Sequence, residues 1–197
     1  MKGIAAFIVG LILSSFAHAY EPQAGDIVFH TSLSSQSLAV QAATRSPYSH
    51  MGIVLFKSGQ PFVFEAVQPV KYTPLEAWLN RGKDRHYVVK RLKAPLSAAA
   101  VSRLSAEAQQ YVGKPYDLTF EWSDSRIYCS ELVWKLYKSA AAIELAPLAK
   151  LGSFSLENPA VKAKLKERYG DNVPVDEPVI APVAIFESPL LVTAAER

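Results

Sequence analysis

One cysteine, Cys129, stands in the 197 residues of this chain, and that excludes every fold stapled by internal disulfides. Such a chain must hold itself together by burying apolar surface. It has the means: half of its residues are hydrophobic, and its length is ordinary for one domain with a sizeable core.

The chain begins Met1-Lys2, continues with an uncharged, mostly apolar run from Gly3 to Phe16, and closes that segment with Ala17-His18-Ala19. A charged start, an apolar centre and an A-x-A site predict a secretory signal peptide over residues 1–19, cut before Tyr20. The apolar run is shorter than the roughly 20 residues that cross a bilayer as a helix, and no second run of that length follows, so no stable membrane anchor is expected. Residues 20–197 are then expected as a single domain, periplasmic or secreted. The formal net charge is +3 and no basic stripe with interleaved aromatics stands out, so nucleic acid is not an expected partner. An unpaired thiol in an oxidising compartment is a liability unless it is buried or used, which makes Cys129 the first residue to interrogate.

Hydrophobic periodicity predicts a mixed α+β chain. Asp26 to Phe29 reads as a strand after a Pro-Gly entry. Ser32 to Thr44 reads as a helix ended by Pro47, with Leu33, Ser37, Val40 and Ala43 on one face. Ser49 to Phe56 and Pro61 to Val67 read as a hairpin across Lys57-Ser58-Gly59-Gln60. A short helix is expected over Pro74 to Leu79, a third strand of the same antiparallel sheet over Tyr87 to Leu92, and a helix capped by Ser97 up to Val112, stopped at Gly113. After a polar loop, Asp117 to Tyr128, the spacing of Leu132, Val133, Leu136, Tyr137 and Ala140 predicts a helix with one buried face from Ser130 to Ala142. A further helix is expected over Pro159 to Tyr169, and Val173 to Leu191 is expected to run extended against the core.

This pattern puts Cys129 at a helix N-terminus, where unpaired N–H groups and the helix dipole favour a thiolate. A buried, inert cysteine is the alternative. A thiol nucleophile needs a base, and histidine titrates in the right range. His50 opens an apolar strand after the Pro47-Tyr48-Ser49 turn; His30 ends a strand in a similar way and competes with it, whereas His86 lies in a charged run and reads as solvated. Glu65, an acid inside an apolar strand beside the one that His50 starts, is positioned either to orient that imidazole or to face solvent.

Four segments in this order, Tyr48-Ser49-His50-Met51-Gly52-Ile53-Val54, Phe64-Glu65-Ala66, Gly113-Lys114-Pro115-Tyr116-Asp117 and Tyr128-Cys129-Ser130-Glu131-Leu132-Val133, closely resemble the YiiX/YaeF group. That group is the circularly permuted branch of the NlpC-type papain-like superfamily, in which the histidine strand precedes the nucleophile helix. The resemblance spans nearly all of the chain after residue 19. It implies a permuted papain-like fold with a central antiparallel sheet packed against helices, Cys129 as nucleophile, His50 as base and Glu65 as third member. Tyr116, and Tyr48 beside His50, are expected to line the substrate site.

The implied chemistry is acyl transfer through a thioester, with the backbone N–H of Cys129 as one oxyanion donor. No cofactor is expected, and no metal, because one cysteine and scattered histidines give no zinc-like spacing. The expected function is a secreted cysteine amidase or peptidase acting on cell-envelope peptides or amides. Two other readings stand beside it: a lipid acyl hydrolase or acyltransferase, whose relatives usually carry a second histidine where Glu65 stands here, and a ligand-binding module of the same fold with little turnover.

Overall fold

The computed structural model describes residues 20–197, so the leader expected over residues 1–19 lies outside the described residues. Among the described residues no helix is long and apolar enough to cross a membrane.

The first strand, β1 (Ile27–His30), is buried along its whole length and pairs on both sides. β2 (His50–Lys57) and β3 (Gln60–Glu65) form the expected hairpin. Ser58 and Gly59 both carry positive φ, which gives the two-residue turn whose twist matches that of the strands it joins. β4 (Lys71–Pro74) then adds to β3 and runs straight into α2 (Leu75–Leu79), while β5 (Val88–Leu92) pairs with β1. The last strand, β8 (Leu191–Glu196), closes the other edge on β5. The result is one antiparallel sheet in the order β4-β3-β2-β1-β5-β8.

Strand alternation divides the core. Ile27, Phe29, Met51, Ile53, Leu55 and Phe64 point to one face, where they pack with Leu132, Val133 and Leu136 of α4 (Cys129–Ala141) and with Leu104 and Ala108 of α3 (Ala98–Gln109). Val28, Val54, Val63 and Val89 point to the other face, which is covered by Leu75 and Trp78 of α2. Gly52 of β2 lies on that second face directly against β3. A Cβ there would stand 2.4 Å from Val63 Cγ1 and 2.9 Å from the Phe64 carbonyl, so only glycine lets the two strands approach this closely.

Three sequence expectations need correction. The first helix, α1, spans Ser37–Thr44 rather than Ser32–Thr44, and Leu33 is exposed. The reason is local: Ser32 Oγ accepts from the Ser34 N–H, and serine side chains that bond nearby backbone favour turns over helix. Two sheet strands, β4 and β8, were not anticipated. The tail is not simply extended either. It carries a two-residue strand, β7 (Pro178–Val179), paired with β6 (Ala149–Lys150), and a short helix, α6 (Pro182–Phe186), before it reaches β8. The helix expected over Pro159 to Tyr169, α5, has those bounds, with Asn158 accepting from the Ala160 N–H at its start.

Candidate active site

Cys129 is the first residue of α4, as its sequence context predicts. What sets it there is a clamp on both of its neighbours by the backbone of Ile180, far along the chain. The Ile180 N–H donates to Tyr128 Oη at 3.1 Å, and Ser130 Oγ donates to the Ile180 carbonyl at 2.7 Å. The incoming loop is equally constrained. Buried Asp117 accepts from the backbone N–H groups of Thr119 (2.8 Å) and Glu121 (2.6 Å) and from the Thr119 hydroxyl (2.7 Å). Glu131 accepts from the Tyr128 N–H within the helix's first turn.

His50 is the first residue of β2 and Glu65 the last of β3, on the face that α2 covers. Because His50 stands where the sheet ends, its ring can also meet a helix that packs on the opposite face. Nε2 of His50 lies 2.7 Å from Glu65 Oε2, and the imidazole stands close enough to Cys129 for the thiol to perturb it. With Nε2 held by the carboxylate, Nδ1 is the nitrogen left for the thiol. The three residues therefore stand in line, Glu65 hydrogen-bonded to His50 and His50 beside Cys129, nearly closed to solvent: Cys129 is 5% exposed, His50 8% and Glu65 0%.

The electrostatics follow from that line. Burial lowers the pKa of His50, but the hydrogen bonds to Cys129 and Glu65, together with their charges, outweigh it and raise the imidazole to about 9. Burial also works against the Glu65 carboxylate, yet the hydrogen bonds and charges of His50 and Arg81 hold it well below the usual carboxylate range. Glu65 is in fact the hub of the site. Besides His50 it accepts from Thr73 Oγ1 (2.6 Å), Trp78 Nε1 (2.9 Å) and both terminal nitrogens of Arg81 (3.0 and 2.5 Å). A buried carboxylate with this many donors is fixed both in charge and in direction.

Sequence reasoning missed Thr73, Trp78 and Arg81. No spacing relates them to Glu65; α2 brings Trp78 across the sheet, and Arg81 follows just after it. His30, the competitor for the base, pairs with His50 across β1 and β2 and stacks on Trp78 with ring centroids 4.1 Å apart. Burial, helped by the charges of His50 and Arg81, pushes it down to about 3, so His30 is a neutral packing partner. His86 is half-buried rather than fully solvated.

Of the two tyrosines expected at the site, Tyr116 is there. It lies beside Cys129 in one cavity and beside His50 in another. Its Oη accepts from Gln36 Nε2 at 3.1 Å, which leaves its own proton available. Tyr48 is a correction. Its ring stacks on Phe186 of α6 at 4.2 Å and meets Phe29 edge-on, and it lines neither cavity. Although adjacent to Ser49 and His50 in sequence, it belongs to the apolar contact between α6 and the sheet.

An antiparallel sheet with a thiol at the start of the helix packed on it, facing a histidine that opens a sheet strand, defines the class of papain-like cysteine hydrolases, here with the histidine strand preceding the cysteine helix. The profile described as "Permuted papain-like amidase enzyme, YaeF/YiiX, C92 family" matches residues 21–193, and the chain belongs to that family. It is 49% identical over 190 residues to the "Uncharacterized protein YiiX" of Escherichia coli (strain K12), covering 96% of this chain and 94% of that one. It also superposes on the crystal structure of "metalloprotein yiiX" from Escherichia coli O157:H7 with a TM-score of 0.88 at 50% identity, covering 90% of this chain and 99% of the other.

The donor set here does not suit a resident metal ion. Among the described residues no three His, Cys, Asp or Glu side chains converge on one point, and Nε2 of His50 is taken up by Glu65.

Proposed function

We propose that the chain is an exported cysteine amidase or peptidase that cleaves amide bonds of cell-envelope compounds by way of a thioester on Cys129. The observation that carries this reading is the hydrogen bond of Glu65 to His50 at 2.7 Å, with that imidazole set beside Cys129 at the start of α4. In it His50 Nδ1 takes the thiol proton, and Glu65 holds the ring and stabilises the imidazolium that results. The thiolate attacks the carbonyl carbon, and the imidazolium hands its proton to the departing amine. Water, deprotonated by the same imidazole, then releases the acid from the thioester. The negative oxygen of each tetrahedral intermediate meets the Cys129 backbone N–H at the positive end of α4, and the Tyr116 hydroxyl is its second donor. Export rests on the leader-like residues 1–19, and it would place the enzyme beside envelope substrates.

The test is the pH dependence of Cys129 alkylation by iodoacetamide in the purified protein, beside His50→Ala and Glu65→Gln. A thiolate that reacts well below the unperturbed thiol pKa of about 8.5, that is lost in His50→Ala and weakened in Glu65→Gln, is the expected result. A thiol that titrates as a free one and ignores both substitutions overturns the assignment.

A further inference from the structure

Three side chains far apart in the sequence are joined in a line that ends at the site. Arg168, near the end of α5, donates from Nη2 to Gln36 Oε1 at 2.7 Å, and Gln36 Nε2 donates to Tyr116 Oη at 3.1 Å. The direction of the line is fixed at its outer end. A guanidinium carries only donors, so the amide oxygen of Gln36 must face Arg168 and the amide nitrogen must face Tyr116. Tyr116 Oη is therefore an acceptor from Gln36, and its single proton is left for another partner. Each member is held by its own element. Gln36 stands at the N-cap of α1, but its side chain makes no capping bond and is free for this contact. Arg168 lies over the ring of Phe120, with Cζ 5.0 Å from the centroid. The neighbouring Tyr169 hydroxyl donates to the Thr119 carbonyl, which ties the end of α5 to the loop that follows Tyr116. The Tyr116 N–H donates to Gln68 Oε1 at 2.7 Å, and its backbone bridges to Ile127, just ahead of Tyr128 and Cys129.

Resting on the thioester reading above, we infer that Gln36 and Arg168 are positioning residues that turn the Tyr116 O–H toward the substrate's carbonyl oxygen and strengthen it as a donor. When the thiolate sulfur bonds to the carbonyl carbon, the π electron pair moves onto oxygen, and that oxygen accepts a hydrogen bond from Tyr116. When the C=O bond re-forms, the leaving group departs with its own electron pair and the Tyr116 proton has stayed on Oη throughout. Among the described residues Gln36 supplies the only hydrogen bond to that hydroxyl oxygen, so it alone sets which way the proton points. Burial, and then the charge on Cys129, push the Tyr116 hydroxyl up, which keeps it a protonated donor; the Gln36 hydrogen bond and the Arg168 charge act the other way. A hydroxyl whose oxygen accepts from a polarised amide gives a stronger hydrogen bond through its own proton, because linked hydrogen bonds polarise one another.

Two reactions of Cys129 that differ in whether an oxyanion forms test this. 4-Nitrophenyl acetate acylates the thiolate through a tetrahedral oxyanion and releases 4-nitrophenolate. Iodoacetamide is attacked at a saturated carbon, loses iodide and forms no oxyanion. In the purified protein Tyr116→Phe should slow acylation about 100-fold, and Gln36→Leu and Arg168→Met should each slow it at least about tenfold. Alkylation of Gln36→Leu and Arg168→Met by iodoacetamide should stay within about twofold of the parent protein at every pH, because the thiolate and its base are untouched. Retained alkylation also shows that these variants are folded. Adding Gln36→Leu to Tyr116→Phe should slow acylation no further, since the amide then has no hydroxyl to direct. Parent-like acylation in Gln36→Leu and Arg168→Met, a parallel loss of acylation and alkylation in both, or additive losses in the double variant overturns the relay and leaves the hydrolase reading intact. Failure of 4-nitrophenyl acetate to acylate Cys129 in the parent protein overturns the hydrolase reading and this inference with it.

Discussion

At the scale of single residues, Glu65 is the position on which the site turns. Replacing it with glutamine keeps the shape but removes the charge that raises His50, so the imidazolium should lose its proton at a lower pH. The expected outcome in a kcat–pH profile is an alkaline limb near 9 in the parent protein, displaced toward neutrality in Glu65→Gln, with kcat lowered on the order of 100-fold. The same pair sets a stability window. The folded pKa of His50 is raised from 6.5, so the stability it contributes is fully present below about pH 6.5 and disappears as pH rises through about 9. The folded pKa of Glu65 is lowered from 4.5, so its contribution is present above that value and disappears as pH falls. Urea midpoints measured across pH should therefore place the pair's maximal contribution between about 4.5 and 6.5, and His50→Ala should flatten the alkaline side of that curve. Arg81 acts through Glu65. Arg81→Met should move the alkaline limb and lower kcat with little change in KM, whereas a merely structural role would leave the pH profile where it is. Cys129 was legible in the sequence from its place at a helix start, whereas His50, Glu65 and Tyr116 were singled out by the resemblance of their short segments to a known family, residue pattern alone leaving His30 in competition and the direction of Glu65 open. Thr73, Trp78 and Arg81 were not, because a buried carboxylate's donors are chosen by which elements happen to pack against it.

At the scale of elements, the site depends on two close approaches that the local sequence does not announce. One is β2 against β3 at Gly52. Gly52→Ala places a methyl group against Val63 and the Phe64 carbonyl, so the strands that carry His50 and Glu65 must separate; a loss of about 1–3 kcal/mol in chemical denaturation and a disproportionate loss of Cys129 reactivity are expected. The other is the clamp of Ile180 on the start of α4. Ser130→Ala removes one arm of it and leaves the Ile180 carbonyl short of its donor, which should cost about 1–2 kcal/mol. By contrast α3 is locally specified. Ser97 accepts from the Ala100 N–H, as its position before an alanine-rich helix predicts, and Ser97→Ala should cost about 1 kcal/mol without touching reactivity. Elements with strong periodicity or a clear cap, namely α3, α4, α5 and the β2–β3 hairpin, were readable. The start of α1 was not, because a serine-rich segment satisfies its backbone in turns as readily as in a helix.

At the scale of the whole molecule, the last strand matters most for a reader of the sequence. β8, Leu191–Glu196, carries one buried side chain, Leu191; Val192 beside it is exposed and the remainder is small or polar, so no alternation marks it as a strand. It is a strand because β5 offers an unpaired edge, and an uncovered edge is a template for other chains. Ending the chain after Glu187 should therefore lower the thermal midpoint by several degrees and promote association, read by light scattering, although every residue of the Glu65–His50–Cys129 line remains. What the sequence determined by itself was the α+β class, the antiparallel sheet and the helix that begins at Cys129, since each follows from the spacing or chemistry of neighbouring residues; the candidate reacting groups came from the resemblance of four short segments to a known family. What only the tertiary structure decided was the direction of Glu65, the stacking of His30 on Trp78 and of Tyr48 on Phe186, and the clamp from Ile180. Those outcomes depend on which surfaces are pressed together when residues far apart in the chain share one core, and no local pattern encodes the choice.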